Sequence, residues 1–497
     1  MKFLGLSFLA GLVSALGFAP LGMWLATLAA FAALILLIET APTLRSALAR
    51  GWWFGLGQFV LGLNWIATAF TYQAAMPAWL GWVAVVLLSF YLAIYPAAAA
   101  GLAWRWGKGG RVVLTLILAA AWIVTEWLRG SMFTGFAWNP VGVVLIDSPF
   151  VLPAPVIGTY ALSGVVVLLS GLILPVLLMR GWRFLAGIVL LAAISQVPAF
   201  WWRPTDHTAL AARPAIRIVQ PNIPQEERWD PDVAARNFLK QPAMTGPSGH
   251  EPRLIFWPES AIPYNLDTDA EARRAIASII GPGDLLLAGG ITQAPPPPGA
   301  QFAEYNSLFV LGPGARILAR YDKAHLVPYG EYLPMRPLLS AIGLSRLAPG
   351  AGDILAGPGP RTLDLPGFGR MAGQICYEIV FSGEVVDRAN RPDFLFNPSN
   401  DAWFGAWGPP QHFAQARLRA LEEGIAIVRA TPTGISALID ANGRIVASLP
   451  QHEAGVIDTR LPPPVPPTLF ARFGNLLAFA FALLLIAAAI AVRRKTR

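Results

Sequence analysis

Cysteine, histidine and charge are all scarce in this sequence. Its 497 residues include one cysteine, Cys376, so no internal disulfide can form and a disulfide-framework fold is excluded. The five histidines are His207, His250, His325, His412 and His452. None pair at zinc-ligand spacing, and without a second cysteine no metal site is expected. Charged residues make up 13% of the chain, about half the roughly 25% of a soluble globular protein. Hydrophobic residues reach 55% and the mean hydropathy is +0.52, which points to the membrane class. The net charge is +8. Many of the basic residues fall in short loops between apolar runs, so they read as membrane orientation, and no nucleic-acid partner is expected.

The apolar runs predict helices near 3–18, 21–39, 52–73, 78–104, 112–128, 158–179 and 184–202, each near the ~20 residues that cross a bilayer. The first is kept as a helix rather than a signal peptide, because the apolar pattern simply resumes after Pro20. Lys2, Arg45, Arg50, Arg105, Lys108, Arg111, Arg180 and Arg183 fall on one side, which places the N-terminus in the cytoplasm. An eighth run at 473–492 ends in Arg493, Arg494, Lys495 and Arg497, so that end is also expected inside. The expected division is a seven-helix transmembrane part (1–203), an extracytoplasmic catalytic domain (213–464) and a final helix (473–492).

The segment 213–464 has a different character, with most of the acidic residues, many Pro and Gly, and short strand-like runs. Ala215–Gln220, Leu254–Trp257, Leu285–Ala288, Met371–Cys376 and Phe394–Phe396 read as strands, and Gln411–Gly424 as an amphipathic helix. Strands alternating with helices predict an α/β domain. No internal repeat is evident.

Three stretches in this domain carry chemistry: Phe256-Trp257-Pro258-Glu259-Ser260, Arg320 to His325 continuing to Glu331, and Gly373-Gln374-Ile375-Cys376-Tyr377-Glu378. A thiol needs a base or a positive neighbour to react at neutral pH. A carboxylate can take its proton, and an ammonium can steady both thiolate and oxyanion. Glu259, Lys323 and Cys376 therefore suffice for nucleophilic acyl transfer. In this order and with these neighbours they resemble the Glu–Lys–Cys triad of the nitrilase (carbon–nitrogen hydrolase) superfamily, a resemblance that Asn397 to Phe404 strengthens. Set among membrane helices, and with Gly17-Phe18-Ala19-Pro20, Asn64-Trp65, Glu126 to Gly130 and Phe136 to Pro140, the chain resembles the apolipoprotein N-acyltransferase family.

That resemblance implies an α-β-β-α sandwich on a membrane α-helical bundle of eight transmembrane helices, in the bacterial inner membrane. It implies a ping-pong reaction with no cofactor. A phospholipid, usually phosphatidylethanolamine, gives its acyl chain to Cys376 as a thioester. The α-amine of the S-diacylglyceryl cysteine of an apolipoprotein then takes it. Glu331 is expected to support the triad, Tyr377 to offer a backbone N–H to the oxyanion, and Glu378 to orient Cys376 or line the cleft. Trp229, Asn397, Trp403, Trp138 and Asn139 are expected near substrate, and Leu333 to Leu347 as an apolar lid. Glu126 and Arg129 read equally as a structural pair or a substrate contact. A monomer is expected. Two other readings stay open at this point: a membrane-tethered amidase using the same triad with water, and a non-enzymatic transporter or binding scaffold.

Overall fold

The computed structural model describes residues 1–72, 77–179, 182, 186, 213–227, 231–296, 303–341 and 354–495. All of the expected helix at 184–202 but residue 186, together with Trp229, Ile342, Leu344 and Leu347 of the expected lid, lies outside them.

Among the described residues, four helices are long and apolar enough to cross a membrane: Leu80–Trp106, Arg111–Ser131, Ala154–Leu178 and Leu476–Lys495. A fifth span forms if Leu44–Gly62 and Ile66–Tyr72, bent by 50°, count as one. Lys2–Ala15 and Trp24–Glu39 are apolar but shorter; 14 residues make about 21 Å of helix. The helix expected at 52–73 starts earlier, because Thr43 caps it by accepting from Ser46 N. It breaks at Leu63–Trp65, where the Asn64 side chain donates to Leu61 O at 2.9 Å and competes with the backbone ladder. Arg50 thus lies inside that helix, buried, and its guanidinium caps the end of Trp24–Glu39 through Leu37 O and Thr40 Oγ1. Leu80–Trp106 breaks at Ala93; Pro96 has no N–H to offer Leu92 O.

Small residues let the helices approach. A Cβ on Gly11 would lie 2.0 Å from Phe54 O, and one on Gly57 would lie 2.2 Å from Phe8 O, a backbone-to-backbone seam of the kind lipid-embedded helices favour. Glu126 and Arg129 face inward and are nearly fully buried. Arg129 donates to Phe136 O and Trp138 O at 3.0 and 2.8 Å, while Glu126 accepts from Val141 N at 2.9 Å. The pair therefore pins the loop 136–141.

The α/β part is two six-stranded sheets packed face to face. One has the order β12-β1-β2-β3-β4-β5, made of β1 (Ala215–Gln220), β2 (Arg253–Phe256), β3 (Leu285–Gln293), β4 (Glu304–Gly312), β5 (Arg316–Asp322) and β12 (Gly455–Arg460). The other has the order β11-β10-β9-β8-β7-β6, with β6 (Thr362–Leu365), β7 (Gly369–Gly373), β8 (Phe394–Pro398), β9 (Ala426–Ala430), β10 (Ser436–Ile439) and β11 (Ile445–Leu449). Both sheets pair in one pattern. β1, β2 and β3 run parallel, as do β7, β8 and β9, and the flanking pairings are antiparallel. This twofold likeness is invisible in the sequence. Apolar faces meet between the sheets, with Phe256 against Phe394 and Phe396 at ring separations of 6.2 and 4.8 Å. The helix Gly408–Glu423 begins on Pro409 and Pro410 and ends at Gly424 with φ +61°, the start and stop such residues favour.

Candidate active site

Glu259 lies just beyond the end of β2, Lys323 follows β5, and Cys376 follows β7. Strand ends from both sheets thus deliver the three side chains to one place, and all three are buried. Room for Glu259 comes from β3: a Cβ on Gly289 would lie 2.6 Å from Ser260 N and 2.7 Å from Glu259 Cα.

Lys323 Nζ donates to Glu331 Oε1 at 2.9 Å and lies 3.7 Å from Glu259 Oε1. Asn306, on β4, joins the two carboxylates. Its Nδ2 donates to Glu259 Oε1 at 2.7 Å and to Glu331 Oε1 at 3.1 Å. Asn400 N donates to Glu259 Oε2 at 2.6 Å, and Val327 N to Glu331 Oε2 at 2.8 Å. Burial opposes the Lys323 charge, but Glu331, Glu259 and Cys376 around it outweigh burial and raise its pKa. The ammonium is permanent at any working pH.

Cys376 does not end a strand as the sequence pattern suggested. β7 stops at Gly373, and Cys376 opens a 3₁₀ turn, Cys376–Val380, with φ +52°. A non-glycine residue holds that conformation only when its surroundings enforce it. Burial, then the Glu259 charge, push the thiol above its ordinary range; Lys323 pulls the other way without prevailing. The resting group is therefore a thiol, not the thiolate that a carboxylate and an ammonium alone would suggest.

Glu378 ties the site together. Its Oε1 accepts from Tyr321 OH, Ala324 N and His325 N at 2.8, 2.7 and 3.0 Å, and its Oε2 from Ile375 N at 2.7 Å. One carboxylate thus locks the backbone beside Lys323 to the backbone beside Cys376. Burial raises its pKa against those hydrogen bonds. A cavity of about 320 Å³ opens alongside, lined by Ala324, His325, Gln374, Glu378, Phe381 and Glu384 among others.

Tyr377 is buried, and its ring stacks on Trp138 at 6.5 Å and 15°. Asn397 is buried; its Nδ2 donates to Gln374 O at 2.5 Å, and its Oδ1 accepts from Arg429. It braces the turn that leads to Cys376. Trp403 is half-buried, with its ring against Tyr72 at 5.6 Å. Trp138 and Asn139 are buried as well. Trp138 Nε1 and Asn139 Nδ2 both donate to Gln411 Oε1 at 2.9 Å, and Asn139 N donates to Gln415 Oε1 at 3.2 Å. They clamp the membrane loop to the helix Gly408–Glu423. Leu338 is exposed and Leu333 is buried. Among the described residues no group of three or more His, Cys, Asp or Glu side chains is arranged to hold a metal ion.

Sequence reasoning missed Asn306. Its signal is an amide on β4 just ahead of the apolar run Leu308 to Leu311, opposite Ile291 of β3. Buried amides need partners, and here the partners are two carboxylates.

The family profile described as "Apolipoprotein N-acyltransferase N-terminal domain" matches residues 10–172, and that of "Carbon-nitrogen hydrolase" matches 215–465. The chain is 37% identical to an apolipoprotein N-acyltransferase of Rhodopseudomonas palustris, over 95% of this chain and 91% of that one. It is 36% identical to one of Bradyrhizobium diazoefficiens over 98% and 94%, and 36% identical to one of Sinorhizobium medicae over 92% and 90%. A solved structure, Saccharomyces cerevisiae Nit3 of branch 10 of the nitrilase superfamily, is 18% identical with a TM-score of 0.35, covering 50% of this chain and 91% of its own.

Proposed function

This chain belongs to the apolipoprotein N-acyltransferase family, a membrane acyltransferase of lipoproteins, and from that premise we propose how its residues carry out the transfer. Glu259 is the general base, Cys376 the nucleophile, and Lys323 the fixed positive charge. The donor is a phospholipid, phosphatidylethanolamine by family resemblance. As Glu259 takes the thiol proton, Sγ bonds to the ester carbonyl carbon, and Lys323 with the Tyr377 N–H stabilises the oxyanion. The ester C–O bond breaks, Glu259 returns the proton to the departing oxygen, and a lysophospholipid leaves.

The α-amine of the S-diacylglyceryl cysteine of an apolipoprotein then attacks the thioester. Glu259 takes the amine proton, the C–S bond breaks, the sulfur recovers a proton, and the amide-linked product departs. Splitting one transfer into two steps lowers each barrier. Confining both lipid-anchored substrates to one membrane raises their effective concentration.

The observation that carries this reading is the buried Glu259–Lys323–Glu331 cluster, bridged by Asn306, together with Cys376, which is buried just past the end of β7. Glu331 holds Lys323, Glu378 holds the two backbones, and Trp138 and Asn139 serve by bracing the helix behind the site. Asn397 braces the nucleophile's turn, while Trp403 and Trp229 remain the proposed substrate contacts. The proposed organisation is transmembrane helices in 1–203, the catalytic domain in 213–464 on the outer side of the bacterial inner membrane, and a final helix at 473–492, with both termini cytoplasmic. The enzyme works as a monomer, without cofactor or nucleic-acid partner.

The test is lipoprotein N-terminal mass in cells whose only copy is Cys376→Ser or Cys376→Ala. Diacylated lipoproteins must accumulate; triacylated ones at the normal level would refute the assignment.

A further inference from the structure

One buried histidine near the nucleophile has no part in the reaction above. His412, on the helix Gly408–Glu423, is fully buried. Its Nε2 is 3.0 Å from Cys376 O. A carbonyl oxygen brings no proton, so Nε2 carries one and donates it. The ring is set from behind: Nδ1 lies 2.9 Å from Asp401 Oδ1 and 3.1 Å from Arg429 Nη2, and Arg429 Nη2 donates to Asp401 Oδ2 at 2.6 Å. Ser399 Oγ also donates to Asp401 Oδ1, at 2.7 Å. Trp138, from the membrane loop, packs its ring 5.2 Å from the imidazole, and Phe404 packs at 5.6 Å.

The peptide joining Cys376 to Tyr377 is planar, and in the trans form its C=O and N–H point in opposite directions. Whatever holds the Cys376 carbonyl therefore also aims the Tyr377 N–H. We propose that His412 is a positioning residue: by holding Cys376 O it keeps the nucleophile in its φ +52° conformation and turns the Tyr377 N–H toward the oxygen of the reacting acyl group. Asn397 Nδ2, 3.5 Å from the same carbonyl, is at the limit of a hydrogen bond, so His412 makes the shorter contact. The Asp401–Arg429 pair and the Trp138 ring fix the imidazole in place. Through Trp138, the membrane loop is in contact with the residue that orients the nucleophile. This inference rests on Cys376 being the nucleophile.

Two amide variants separate positioning from packing. His412→Gln places its amide nitrogen near the position of Nε2 and can still reach Cys376 O. His412→Asn places it near Nδ1, keeping the Asp401 contact and losing the carbonyl. The full chain in detergent, with phosphatidylethanolamine as donor, is assayed for acylation rate, donor KM and the infrared stretch of the thioester carbonyl. The expected result is acylation about 10²-fold slower in His412→Asn, the scale of a misplaced reacting group. Its donor KM stays unchanged and its thioester stretch moves to higher frequency as the N–H contact is lost, while His412→Gln stays within about tenfold of wild type.

Wild-type acylation in a folded His412→Asn overturns the inference, and so does equal slowing in both variants. If His412→Asn does not fold, His412→Gln decides alone: its thioester stretch must match wild type, and a displaced stretch refutes the proposal. Cys376→Ala serves as control. Acyl transfer in that variant would sink the reading of the reaction itself, whereas a dead Cys376→Ala beside a fully active His412→Asn sinks only the role of His412.

Discussion

Replacing Lys323 by methionine removes the one positive charge in direct contact with two buried carboxylates while keeping most of the side chain's volume. At an effective dielectric constant near 20, the contacts at 2.9 and 3.7 Å correspond to gross attractions of about 6 and about 4.5 kcal/mol. Burial of the ammonium offsets much of this, and removing one member of a buried pair typically destabilises by about 3–5 kcal/mol. A second route gives the same scale. Glu259 and Glu331 share Asn306 Nδ2, so without the cation one of them takes up a proton. Doing so at pH 7 from an ordinary carboxylate pKa costs about 3.7 kcal/mol.

The sign of the pH dependence follows. In the variant the folded-state carboxylate pKa rises above its unfolded value, so stability is recovered as pH falls from 7 toward the ordinary carboxylate range and lost as it rises. Apparent melting of Lys323→Met should therefore be higher at pH 5 than at pH 7.5. Acyl-adduct formation, followed by mass, should fall at least about 10²–10³-fold, the scale for losing one oxyanion donor. A variant that forms adduct within tenfold of wild type, with melting indifferent to pH, would refute the electrostatic reasoning.

Other changes follow from single contacts. Glu259→Gln removes a charge that raises the Cys376 pKa, so alkylation of the thiol at fixed pH should quicken while acyl transfer collapses; parallel loss of both would argue against Glu259 as base. Glu378→Gln turns an acceptor into a donor facing backbone N–H groups, which should destabilise by about 1–3 kcal/mol and slow acylation, measured by melting and adduct rate. Gly289→Ala forces a Cβ against Ser260 N and Glu259 Cα; kcat should fall with donor KM little changed. In the membrane part, Gly11→Leu would collide with Phe54 O and should reduce the yield of folded protein, read by size-exclusion of the detergent extract, whereas the exposed Leu9 should tolerate alanine.

What the sequence revealed and what it hid have separate physical causes. Hydropathy marks a span because burial in lipid is decided by composition alone, so the helices near 112–128, 158–179 and 473–492 emerged with bounds within a few residues. The break at Leu63–Trp65 stayed hidden because it depends on one amide competing with the helix backbone. That Glu259, Lys323 and Cys376 belong together was legible because each sits in a compact local pattern. Asn306 and His412 were not, since a single amide or imidazole shows no partner until the chain is folded. The contact of Trp138 and Asn139 with Gln411 was hidden because the partner is more than 270 residues away in the chain. The acidity of Cys376 was misjudged for a related reason: neighbours were readable, but the burial that outweighs them was not.

The central claim is that Cys376 carries the acyl chain between two lipid substrates. Intact-mass analysis of the purified protein, mixed with phosphatidylethanolamine and then with a diacylated lipopeptide, tests it most directly. The account predicts a mass gain of one acyl group, mapped to the peptide bearing Cys376, that disappears as the lipopeptide gains the same mass. Lipopeptide acylation by Cys376→Ala, or an adduct on another residue, would contradict it.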